Sequence, residues 1–204
     1  MARRKYLSAR TPCRLFVDWA FSIHCGVALR ENFLIAQSLQ PISLKKMSTT
    51  TLAPKTESLA VSKHLKTLLA DSYALMGQTH LAHWNVEGPN FFQLHIAFQA
   101  QYEELFTAVD DVAERLRALD VLALGGLATL AKASSITEMT TAAAPAKDYV
   151  AHLIDCHEIV VNTARAVRDA AGDTHDLETQ DLAIGRIRLH QKTLWMLKSF
   201  LKNL

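Results

Sequence analysis

Four stretches of the chain repeat their apolar residues every three or four positions, and none sustains the period-two alternation that a half-buried strand needs. From Glu57 to Trp84 the repeat runs through Leu59, Val61, Leu65, Leu68, Leu69, Tyr73, Leu75 and Met76. Gly88 and Pro89 in "VEGPN" stop it, because neither continues a helix cheaply. Asn90 is then an N-cap candidate, with Gln93 in the reciprocal capping-box position. A second helix is expected from Phe91 to about Leu119, its stripe stepping through Leu94, Phe98, Leu105, Val109, Val112, Leu116 and Leu119. Pro145 suits the first turn of a third, striped by Tyr149, Leu153, Ile154, Val160, Val161 and Val167, with Gly172 as its C′ residue. A fourth opens near Thr174 or Asp176 and carries Leu182, Ile184, Ile187, Leu194, Leu197 and Leu201; Trp195 and Phe200 are expected in the core. The connector "LALGGLATLAKASS" leaves room for one short helix around Leu127 to Ala133. These segments imply an all-α four-helix bundle with a short extra helix between helices 2 and 3.

Charge divides the chain unevenly. The net charge is +2 over 204 residues, but residues 1–46 hold eight Lys/Arg against Asp18 and Glu31, 8 − 2 = +6. Residues 47–204 therefore carry 14 Lys/Arg against 18 Asp/Glu, or −4. Met47, followed by "STTT", reads as an ordinary start, with 1–46 as a basic extension, disordered or upstream of that start; 47–56 would be a flexible tail and 57–204 the bundle. The apolar run Leu15 to Leu29 is interrupted by Asp18 and too short to span a bilayer comfortably, and it makes a poor secretory signal. Cys13, Cys25 and Cys156 form neither a disulfide framework nor a metal knuckle, so a reducing compartment, the cytoplasm, is expected.

The chemistry concentrates in "HLAHWNVEGPNFFQLH", residues 80–95, which holds His80, His83 and His95. Histidine is the commonest metal ligand. At 100° per residue, His95, Gln99, Glu103, Asp110 and Glu114 fall at about 0°, 40°, 80°, 60° and 100° around the second helix, on one flank. Such a flank can be merely solvated, but Asp110 and Glu114 are like charges one turn apart and repel unless a cation sits between them. His95 and Asp110 are separated by about 22 Å along a straight helix, far beyond metal–ligand bonds of about 2 Å. Either there are two half-sites, or the histidines of one copy meet the carboxylates of another across a two-fold axis. Nitrogen and carboxylate ligands suit iron or another first-row metal. No glutamate is followed by histidine three residues on, which disfavours a di-iron centre inside one bundle.

The linked motifs "AHWNVEGPNFFQLHIAFQAQY" (82–102) and "DDVAERLRAL" (110–119) resemble the Dps family of mini-ferritins, and the helix layout extends the resemblance over roughly 55–204. The resemblance implies a ferritin-like four-helix bundle assembled from two-fold dimers into a hollow dodecamer. It implies a ferroxidase that oxidises Fe(II), preferably with hydrogen peroxide, and stores the ferric mineral, protecting DNA. By position, His83 and His95 match metal ligands of one subunit, and Asp110 and Glu114 match ligands of its partner. Trp84 matches a tryptophan that takes up oxidising equivalents. Gln99 stands where many members have an acid, so the second iron position is expected to be weaker. Asp173, Asp176 and Asp181 match the region lining an iron-entry pore, although acids at a helix start also favour the dipole. His80 is expected to be structural, and His64, His152, His157, His175 and His190 to be helix-surface or packing residues.

A competing reading is a DNA-compacting nucleoid protein with secondary iron chemistry. From Met47 the tail offers only Lys55 against Glu57, and twelve copies at −4 would total about −48, which repels DNA; twelve +6 arms would reverse that. A third reading keeps the shell but loses the centre through Gln99.

Overall fold

The computed structural model describes residues 57–140 and 143–202. The extension 1–46, the Met47 start and the tail with Lys55 lie outside the described residues. Five helices form: α1 (Glu57–Asn85), α2 (Phe91–Ala118), α3 (Leu127–Ala133), α4 (Ala146–Asp173) and α5 (Leu177–Leu201), with no strand among the described residues. α1 packs against α2, α4 and α3, and α4 packs against α5. Two antiparallel hairpins, α1–α2 and α4–α5, are thus joined by the long connector that contains α3, the ferritin-like connectivity.

The stripes become the core. Leu65, Leu68, Leu69 and Leu75 of α1 meet Leu94, Phe98, Leu105 and Val112 of α2, Leu153, Val160 and Val167 of α4, and Ile187, Leu194 and Leu197 of α5, all buried. Three expected core residues are outside it: Leu59, Trp195 and Ile184, the last 37% exposed one residue from buried Ala183. Leu59, in the first turn of α1, is 70% exposed. Trp195 is 67% exposed because it sits 100° round the helix from buried Leu194 and so leaves the stripe. Phe200 is half-buried against the core.

The helix ends differ from expectation in their chemistry more than in their place. Gly88 takes φ +100, the left-handed turn that lets the chain double back, and its carbonyl accepts from the Phe91 N–H at 3.0 Å. Asn90 occupies the N-cap position but makes no side-chain cap bond, so the Asn90–Gln93 capping box does not form. Pro145 precedes α4 as its N-cap residue rather than entering the first turn. α4 runs past Gly172 to Asp173, and the left-handed residue is His175 (φ 56). The His175 N–H donates to the Gly172 carbonyl at 3.1 Å and the Asp176 N–H to that of Ala171 at 2.9 Å. Gly172 instead gives room to the Gln180 amide, 2.6 Å from where a Cβ would stand.

Polar groups inside the bundle tie helices that the apolar stripes only bring near. Asp71 of α1, with no exposed surface, accepts from Thr163 Oγ1 of α4 at 2.7 Å, and from Ser134 Oγ at 3.0 Å and the Ser135 N–H at 2.5 Å just beyond α3. Gln78 Oε1 accepts from the Met139 N–H and from His152 Nε2, both at 2.9 Å, pinning the connector a second time. His157 and His190, expected as surface or packing residues, are fully buried and joined Nδ1 to Nδ1 at 2.8 Å.

Replacing Asp71 by Ala strands its donors in the core. The expected loss is about 3 kcal/mol of unfolding free energy, read from urea midpoints. The histidine pair makes stability pH-dependent. Burial first, and the Arg186 charge second, push the His157 pKa from 6.5 to about 3, and His190 moves in the same direction. Below pH 6.5 the unfolded chain binds protons that the folded chain refuses, so this contribution is complete above 6.5 and is lost as the pH falls toward 3. The slope is up to about 1.4 kcal/mol per pH unit for each ring, and His157→Gln is expected to flatten it in urea titrations between about pH 7.5 and about pH 4.5.

Candidate metal centre

Two histidines are locked to each other across the corner between α1 and α2. His83 lies in the last turn of α1 and His95 in the second turn of α2. His83 Nδ1–H donates to the His95 carbonyl, and His95 Nδ1–H to the His83 carbonyl, each at 2.9 Å. The second bond also satisfies one of the carbonyls left open at the end of a helix. A carbonyl only accepts, so each ring carries a proton on Nδ1, and the neutral form of each ring keeps its lone pair on Nε2. The rings stack at 3.7 Å between centroids and 18° between planes. This is how metal-binding imidazoles are held, with one nitrogen anchored and the other presented.

Aromatic packing fixes the pair from both sides. Phe91 stacks on His95 at 5.0 Å, and Tyr102 meets His83 edge-on at 5.2 Å. His80 lies between Trp84, at 5.2 Å, and Tyr102, at 4.2 Å. Burial, then the neighbouring His83, lowers the His80 pKa. Trp84 itself is 70% exposed and stands beside His80.

Asp110 and Glu114 are exposed at the other end of α2, without an ion-pair partner among the described residues. α2 is continuous from Phe91 to Ala118, so the 15-residue interval from His95 to Asp110 spans about 22 Å. No three His, Cys, Asp or Glu side chains come together as a metal site among the described residues. One chain therefore holds two nitrogen donors at one end of α2 and two carboxylates at the other. Gln99, between them, donates from Nε2 to Glu103 Oε1 at 2.8 Å, both exposed.

The same flank carries residues overlooked as part of the site. On the helical wheel that puts His95 at 0°, Phe106, Phe92 and Ile96 fall at about 20°, 60° and 100°. They are 71%, 75% and 65% exposed. Large apolar side chains interleaved with candidate ligands mark a surface built to be covered. The wheel arithmetic that located the ligands would have located them too.

At the opposite end of the bundle the three pore candidates separate. Asp173 and Asp181 are exposed. Asp176 is committed internally: it caps α5 through the Thr179 N–H at 3.0 Å, accepts from Thr179 Oγ1 at 2.6 Å, and pairs with Arg115 Nη2 at 2.7 Å. Arg115 Nε also donates to Thr179 Oγ1 at 2.7 Å. This cluster, unanticipated from the sequence, fastens the end of α2 that bears Glu114 to the start of α5.

A ferritin-like domain family model matches residues 62–204. The DNA protection during starvation protein 2 of Bacillus anthracis is 33% identical over 66% of this chain and 92% of its own length. The DNA protection during starvation protein of Porphyromonas gingivalis is 30% identical over 77% of this chain and 98% of its own. A solved Dps protein of Vibrio cholerae O1, described as a member of a broad superfamily of ferritin-like diiron-carboxylate proteins, superposes with a TM-score of 0.69 at 31% identity, covering 72% of this chain and 91% of its own. With its two hairpins, its histidine corner and its acidic helix end, the chain belongs to the Dps family of ferritin-like proteins.

Proposed function

We propose that this protein is an iron-storage and detoxification ferroxidase whose centres lie between subunits. The observation that carries the reading is the reciprocal His83–His95 hydrogen bonding, which leaves two neutral Nε2 lone pairs side by side. Fe(II), the substrate, binds those nitrogens from one protomer and the Asp110 and Glu114 carboxylates from a partner related by a two-fold axis. The isolated flank is unfavourable twice over, with adjacent carboxylates and bare Phe92, Ile96 and Phe106. Antiparallel pairing of α2 with its copy relieves both.

Each hydrogen peroxide takes one electron from each of two Fe(II) ions and, with two protons, leaves as two waters. The protein holds the metal and orders its surroundings; the redox chemistry belongs to the iron. Gln99 offers a neutral amide where a carboxylate would bind more tightly, so the second iron is held weakly. Trp84, one residue from His83 and exposed, takes up stray oxidising equivalents. Two-fold dimers close into a hollow dodecamer that admits Fe(II) past Asp173 and Asp181 and stores the ferric product. Consuming Fe(II) and peroxide together protects DNA without binding it, in keeping with the −4 charge of residues 47–204. The cytoplasm is the compartment in which such chemistry is needed, and no described helix is long and apolar enough to cross a membrane.

Stopped-flow oxidation of Fe(II) by peroxide tests the shared site. His83→Ala and Asp110→Ala are each expected to lose most of the rate. Subunits of the two variants, dissociated and reassembled together, regain activity, because a mixed dimer rebuilds one intact centre from the unmutated half of each chain. Equal rates in wild type and both variants, or no recovery on mixing, would overturn the assignment. Phe106→Asp places a charge in the covered face and is expected to shift the assembly toward monomer in sedimentation velocity, with loss of ferroxidase activity.

A further inference from the structure

A cavity of about 280 Å³ lies between α2 and α5, with His157 of α4 in its lining, on the opposite side of α2 from His95. Its walls are apolar, built from Ala97, Ala100, Leu105, Leu189 and Met196. Its polar lining is Gln101, Glu104, His157, Lys192 and Thr193.

The protonation of His157 follows from the hydrogen bonds behind it. Arg186 Nη2 lies 3.0 Å from His190 Nε2, and a guanidinium only donates, so His190 Nε2 accepts. His190 therefore carries its proton on Nδ1 and donates it to His157 Nδ1 at 2.8 Å. His157, as the acceptor, must hold its own proton on Nε2. That Nε2–H is buried without a hydrogen-bond partner, and so is Gln101 Oε1 on the cavity wall. The lowered pKa of His157 fits the neutral ring. An unpaired donor at this depth is unfavourable, and a ligand acceptor relieves it.

Charge selects the kind of acceptor. Glu104 is the one acidic lining residue, and both its oxygens are taken by Arg186 Nη1 and Nη2. Lys192 has no ion pair among the described residues, so the cavity is left with one uncompensated positive charge. We propose that this cavity binds a small organic monocarboxylate, its oxygens accepting from His157 Nε2–H and Lys192 Nζ and its apolar body lying against the alanine, leucine and methionine wall. The Gln101 amide, turned to present its NH₂, supplies a further donor. The site is independent of the iron centre and needs none of its residues.

Isothermal titration of the full-length protein with sodium benzoate tests this, with benzyl alcohol as the uncharged comparison. One saturable benzoate site per chain is expected, with benzyl alcohol weaker by about tenfold or more, as loss of a charge-assisted contact requires. Lys192→Gln, an exposed change that leaves the core intact, is expected to weaken benzoate by a similar factor, and His157→Phe to abolish it. If His157→Phe does not fold, Gln101→Leu with Lys192→Gln decides, since both sit on the cavity wall. Absence of saturable binding, benzyl alcohol binding as tightly as benzoate, unchanged affinity in Lys192→Gln, or a crystal structure with His157 Nε2 bonded directly to Gln101 would each overturn the proposal.

Discussion

An unbroken α2 holds His95 near one end and Asp110 and Glu114 near the other, about 22 Å apart, and a helix that stiff cannot fold them onto one ion. The separation decides how a bundle of this connectivity can do metal chemistry. On the proposed reading, the candidate ligands are displayed along an outer flank and each protomer carries two complementary halves of a shared centre. The exchange of Nδ1–H···O=C bonds between His83 and His95 fixes both ring planes in the chain by itself. The acidic half is prepared by anchoring, with Arg115 tying the same turn of α2 to the Asp176 cap of α5.

The interior of the bundle holds polar chemistry of its own. Arg186 of α5 reaches Glu104 of α2 and His190, and so places a guanidinium among the side chains of three helices. α2 and α5 do not pack closely, and this ion pair bridges them beside the cavity. Breaking one partner of such a pair leaves a charge with poor solvation, which is why these contacts hold one helix arrangement more strongly than apolar packing alone. Asp71 does the same for the connector, whose Leu130 and Ile136 are also buried in the core.

Much of the candidate site was legible because it depends on spacing along a helix. Periodicity marked α2 and α3 to within a residue, and the 100° rule put His95, Asp110 and Glu114 on one flank before any coordinates. Apolar character alone misled at Trp195, Leu59 and Ile184, which are exposed. Whether an apolar residue is covered depends on what faces it, and that information is not local. Gly172 misled for a related reason: its composition fits a helix end, yet the Gln180 side chain needs its missing Cβ.

The sequence by itself determined an all-α chain, the helix boundaries, the corner at Gly88 and the distance that separates histidines from carboxylates, since each follows from residues near one another along the chain. Tertiary structure alone decided that His83 and His95 satisfy each other's carbonyls, that Asp176 pairs with Arg115, and that His157 and His190 are buried together. Those pairings join positions 12, 61 and 33 residues apart. No local propensity records them, because hydrogen-bond complementarity between distant segments exists only once packing has brought them into register.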